Sequence, residues 1–221
     1  MPVRVDRTQE IERALANVYL DLFKSIKKDT DDPANVNLLK FRYNRKVYDA
    51  SRKAISQVFA EGQSYVGRVL GVEAYPSTKD VELIKSETDK AVNMFWRRVD
   101  FDSVRLIQIQ QQEQKLVTED KPKEQFDTQF YMQSAAQIAT TGALAISTLT
   151  KTKQLVEDPQ LKDEVKTPTI TWRTQMDERV CPICNALDGQ EWDYEDPSIP
   201  VPARNGPGGS HGNCRCWLEL G

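Results

Sequence analysis

The 221-residue, 25.2-kDa chain is 39% hydrophobic and 29% charged, a balance that argues against a thick apolar core and for an extended, mostly helical protein. A formal charge of -3 gives no general electrostatic pull toward DNA or an anionic membrane. The N-terminal MPVRVDRTQE is not followed by an apolar run, so it does not read as a secretion signal, and a reducing cytoplasm is the expected site of synthesis.

Helical periodicity dominates the first two thirds of the chain. Asp6, with Gln9 at the third position, reads as the cap of a helix whose apolar face is Ile11, Leu15, Val18, Leu22 and Ile26. Asp32-Pro33 opens a second helix, with proline at the first helical position, where a missing N–H costs nothing. No further proline appears before Leu70, so one long helix is expected, with Gly62 and Gly67 its weak points. Ser77 and Asp80 cap a third helix with the stripe Val81, Ile84, Thr88, Ala91, Phe95 and Val99. A break is expected near RVDFDS, then a glutamine-rich solvated stretch closed by Lys121-Pro122. A fourth helix takes in Phe126, Phe130 and the small-residue run AAQIATTGALAISTL. That run, Ala135 to Leu149, falls short of the roughly 20 residues that span a bilayer. It reads as a packed helix that lets a neighbour approach closely, with no stable membrane insertion.

The texture changes after Asp158-Pro159. TPTITWRTQ alternates as a strand, Asp188-Gly189 is a tight-turn dipeptide, and QEWDY and RCWLEL are further short strands. Between the last two lies a loop rich in proline and glycine. The expected fold is therefore mainly α: a long-helix body over residues 1–158, then a small β-rich module over 159–221.

All four cysteines and the single histidine fall in that module. A β-rich unit of this size rarely folds on burial alone and needs a metal, disulfides or a partner. Cys181 and Cys184 stand two residues apart, the spacing at which two thiolates reach one tetrahedral ion, and His211 and Cys214 repeat it. Three sulfurs and one nitrogen in a reducing compartment favour zinc in a closed, structural shell. The preferred set is Cys181, Cys184, His211 and Cys214, with Cys216 in reserve. A thioredoxin-like redox pair requires a strand-to-helix context, whereas the surroundings of Cys181 read as strand and turn. Exported disulfides and a catalytic His211 are the remaining alternatives. A nuclease built on two or three catalytic histidines is excluded, because the chain has one. Trp172, Trp192 and Trp217 are candidates for the module's own apolar core. Asp177 and Arg179 are a candidate ion pair, and Arg215 is a surface or partner-facing charge. From Arg173 onward four arginines face eight carboxylates, which argues against sequence-specific DNA binding by the module.

From Thr171 to Leu220 the chain resembles the C-terminal signature of the tailed-phage minor head, or head-morphogenesis, proteins, the family that includes the phage Mu F protein. The elements are Trp172-Arg173-Thr174, then Asp177, Arg179, Val180, Cys181, Pro182 and Cys184, then Leu187-Asp188-Gly189, then Pro200 and Pro202, and finally His211, Cys214, Arg215 and Cys216. Two features depart from that pattern: ARNGPGGS separates the prolines from His211, and Gly212 stands where proline is common. The helical body agrees with the family in character rather than in a motif. The resemblance implies a structural virion protein, not an enzyme. It would sit inside the head near the portal vertex in several copies, bind the portal protein and other virion proteins, assist assembly, packaging or genome delivery, and leave room for contact with packaged DNA. The alternatives from other classes are a zinc-dependent nucleic-acid enzyme or processing factor and a cytosolic zinc adaptor.

Overall fold

The computed structural model describes residues 5–29, 36–115, 128–161, 164–174, 180–203 and 216–221, with the backbone alone at 5–6, 36–37, 101–115 and 128. Four long helices come first: α1 (Val5–Asp29), α2 (Val36–Leu70), α3 (Thr78–Lys115) and α4 (Thr128–Val156). They are followed by β1 (Thr169–Arg173), the short α5 (Pro182–Leu187), β2 (Glu191–Asp193) and β3 (Trp217–Leu220). The fold is mainly α with a small antiparallel sheet at its C-terminal end.

α4 sits at the centre, packed against α1, α2 and α3, because its side chains are small. Ala135, Ala136, Ala139, Ala143 and Ala145 are buried on it, as are Thr140, Ser147 and Thr148. No described helix is long and apolar enough to cross a membrane. The small-residue run is a packing surface.

α2 is one unbroken helix of 35 residues, roughly 52 Å at 1.5 Å per residue. Neither glycine interrupts it. Gly62 instead marks the closest approach to α4: a Cβ there would lie 2.7 Å from Ser147 Oγ and 2.9 Å from Ser147 Cβ. Ser147 Oγ in turn donates to the Phe59 carbonyl at 2.9 Å. Gly67 belongs to the helix end. Its carbonyl accepts from Val72 N–H at 3.0 Å around Gly71, whose φ of 72° is the left-handed conformation such a stop requires. Gly62→Ala is expected to destabilise the protein by about 1–3 kcal/mol, because overpacking outweighs the gain of roughly 1 kcal/mol in helix propensity. Urea titration checks this, and adding Ser147→Gly should recover most of the loss.

Other expectations moved by a residue or a turn. α1 begins at Val5, which puts Asp6 inside the helix rather than at its cap. Its buried stripe runs through Leu15, Tyr19, Leu22 and Ile26, with Val18 turned outward. Tyr19 reaches Ser51 at 2.8 Å. Because Ser51 Oγ donates to Val47 O, the tyrosine is the donor, and burial pushes its pKa up to about 12. On α3, Thr88, Ala91, Phe95 and Val99 are buried but Val81 is exposed. The helix passes through RVDFDS without a break, reaching Lys115. Asp32-Pro33, Lys121-Pro122 and Phe126 lie outside the described residues.

Ser77 and Asp80 do cap α3: Asp80 Oδ2 accepts from Ser77 N–H at 2.6 Å and from its hydroxyl at 2.9 Å. The same carboxylate meets Lys151 of α4 at 3.1 Å, both side chains being nearly inaccessible. The Lys151 ammonium also donates to Tyr75 O and Gln154 Oε1, each at 2.7 Å. One buried lysine thus ties the start of α3 to the far half of α4.

Candidate functional site

The C-terminal module is a three-stranded antiparallel sheet in the order β2-β1-β3. Ile170 and Trp172 of the central strand are fully buried, but Thr171, expected on the solvent side, is buried as well, so the strand is covered on both faces at its centre. Trp172 pairs with Leu218, and Ile170 with both Trp192 and Leu220. Only Trp172 of the three module tryptophans is a core residue; Trp192 and Trp217 are half-exposed. Its indole N–H has no acceptor among the described residues. The apolar cluster around it also takes in Val66 of α2 and Ala145 and Leu155 of α4. Leu220 N–H donates to Tyr65 Oη at 2.9 Å, which fastens β3 to α2, and burial raises the Tyr65 pKa despite that bond.

The Leu187-Asp188-Gly189 turn has a defined task. Gly189 adopts a φ of 78°, returns the chain to the sheet, and donates to Trp172 O at 2.9 Å. The Asp188 carboxylate accepts from Thr174 N–H at 2.7 Å, capping the end of β1. Across the other edge Arg173 pairs with Glu219, and that hydrogen bond raises the guanidinium pKa. Sequence spacing identified the turn but not the carboxylate's partner, which lies 14 residues away along the chain.

Cys181 is the N-cap of α5, with Pro182 in the first turn behind it. Its Sγ accepts from Cys184 N–H at 3.3 Å, and its carbonyl from Asn185 N–H at 2.9 Å. This corrects the reading of strand and turn around Cys181. The motif opens a helical turn, Asn185 lies inside it, and the only described non-glycine residue with positive φ is Ala203. The helix start at Cys181 is part of the context that a thioredoxin-like pair also uses. Cys184 and Cys216 are buried and Cys181 is half-buried, and all three belong to the cluster around Trp172. None of them is in a disulfide.

Cys181 and Cys184 have the soft donor chemistry that a two-thiolate site would use, and the Cys184 N–H is placed to stabilise charge on the Cys181 sulfur. Among the described residues no three or more His, Cys, Asp or Glu side chains group as a metal site. His211 and Cys214, half of the preferred ligand set, lie outside the described residues, as do Asp177, Arg179 and Arg215.

The family profile described as phage Mu protein F-like matches residues 106–219, from late in α3 into β3. The chain belongs to the phage Mu protein F-like family. As a member, it is a phage head-morphogenesis protein from a structural rather than an enzymatic family. Family membership carries virion localisation and contact with other virion proteins. The match extends the C-terminal signature back through the whole of α4, so the family unit includes the bundle's central helix as well as the sheet. No curated protein and no solved structure matches the chain.

Proposed function

We propose that the protein is a minor head component that binds the portal protein and neighbouring virion proteins, inside the head near the portal vertex, in several copies per particle. It acts by binding rather than turnover, assisting assembly, DNA packaging or genome delivery, and it contacts packaged DNA. The family match over residues 106–219 carries this reading. The binding role is also supported by the single histidine, which leaves no paired imidazole chemistry.

The module is held by one structural zinc ion, taken by four of Cys181, Cys184, His211, Cys214 and Cys216. Zinc supplies a four-way cross-link and, with a closed shell, activates no water. The Cys184 N–H bond to Cys181 Sγ supports Cys181 as a thiolate whose charge a backbone donor stabilises. Cys216 stays in reserve, because among the described residues Cys181, Cys184 and Cys216 do not by themselves group as a metal site.

Protein analysis of purified particles, with cross-linking to the portal, tests the head assignment. The chain should appear in particles and in portal-containing cross-links. Its absence from particles that package DNA normally would defeat the reading.

A further inference from the structure

Charge is strongly segregated in this protein, although its total of -3 conceals the fact. α2 carries seven Lys and Arg residues against two carboxylates, Asp49 and Glu61. At 3.6 residues per turn, Arg42, Arg45, Lys46, Asp49, Arg52 and Lys53 fall within one arc of about 120°. All six are exposed. Arg42 is paired with Asp29 at 2.7 Å, and Arg45 reaches Asp49 only at 3.8 Å with both side chains well solvated. Lys46, Arg52 and Lys53 have no carboxylate partner among the described residues. Arg45 and Arg52, like Lys46 and Lys53, are seven residues apart, so pairs of cations recur roughly 10 Å along the helix.

We infer that this face of α2 binds the phosphate backbone of double-stranded DNA. The inference rests on the head-protein reading, which puts the chain beside a packaged genome, and assigns the DNA contact to α2 rather than to the acid-rich module. The occupant follows from chemistry. From Arg42 to Lys53 the arc offers five cations, the single carboxylate Asp49 and no apolar side chain, whereas a protein partner's binding energy centres on pockets that aromatic and other large anchors fill. Phosphates require only positioned positive charge and carry no demand for base contacts. Leu38 and Phe41, 72% and 94% exposed, stand at the N-terminal end of the face and provide an internal control. They are where an acidic protein partner would insert its anchor.

The test is fluorescence anisotropy of a labelled random-sequence duplex titrated with the full chain. Comparison is with the triple variant Arg45→Glu/Arg52→Glu/Lys53→Glu and with Phe41→Ser, and circular dichroism confirms that both remain folded. With about four phosphates neutralised, affinity should fall about 150-fold between 50 and 200 mM salt. The triple variant should lose more than tenfold in affinity with a flattened salt dependence, and Phe41→Ser should bind as the parent does. The inference is overturned if the parent does not bind duplex, if the triple variant binds equally well, or if Phe41→Ser alone abolishes binding. Particle analysis separates this from the parent reading. A chain that enters particles yet binds no duplex leaves the head assignment standing and removes the α2 contact. A chain that binds duplex through α2 but never enters particles does the reverse.

Discussion

Lys151→Met is expected to lower the stability of the folded protein by about 3–5 kcal/mol, measured by urea unfolding at neutral pH. The lysine is 3% exposed and supplies hydrogen bonds to Asp80, Tyr75 O and Gln154 at once. Removing it leaves a carboxylate buried at the start of α3 with only Ser77 to compensate. The desolvation of that stranded charge, more than the lost attraction, sets the size of the effect. The pH dependence identifies the mechanism. Burial by itself would raise the Asp80 pKa; the Ser77 and Lys151 hydrogen bonds outweigh it and hold the group below its ordinary value. A depressed folded-state pKa contributes stability above the unfolded carboxylate value, near pH 4, that is lost as pH falls through the folded one. In Lys151→Met the Lys151 share of that contribution is gone and the stranded carboxylate is relieved by protonation, so the gap between parent and variant should narrow as the medium is acidified toward and below about pH 4. A gap constant with pH would mean that Lys151 acts through packing alone.

On the proposed zinc reading Cys184→Ser carries the larger expected effect, because structural zinc contributes about 10–16 kcal/mol in small finger peptides. The parent should hold one equivalent of zinc per chain and the variant almost none. Unfolding should be confined to the sheet. Helix signal from α1 to α4 should be retained while tryptophan emission shifts red as Trp172 leaves its fully buried site. Cys184→Ala separates metal binding from packing, since Cys184 is also 1% exposed in an apolar cluster. If the thiol is a ligand, alanine loses zinc as serine does. If it only fills space, alanine is the milder change and zinc content does not move in either variant. Chelation of the parent should reproduce the serine phenotype, and paired Cys214→Ser and Cys216→Ser variants identify the remaining sulfur.

What could be read from the residues was whatever depends on neighbours along the chain. The four helices, the three strands, the Ser77–Asp80 cap, the Asp188-Gly189 turn and the end of α2 near Leu70 rest on period, capping and turn chemistry, all of which act within a few residues. Errors arose where a local signal has two outcomes. Glycine in a helix weakens it when solvated but serves contact when a neighbour presses close, and Gly62 faces Ser147 from 85 residues further on. A proline-containing Cys-x-x-Cys suits either a strand-edge turn or a helix start, and α5 took the second course. In α1, Val18 and Tyr19 both extend an apolar face, and the position of Ser51 on α2 decides which turns inward.

The chain alone determined that this protein is mainly helical, ends in a small sheet, gathers its sulfur and imidazole there, and shares the signature of the phage Mu protein F-like family. Those properties are encoded in spacing, and spacing survives without coordinates. Tertiary structure alone decided that α4 is the hub, that Lys151 is buried against Asp80, that the sheet shares its apolar cluster with α2 and α4, and that the cations of α2 line one exposed face. Each of these joins residues distant in sequence or sorts them by solvent exposure. Burial and charge pairing depend on distances in space, which composition averages away.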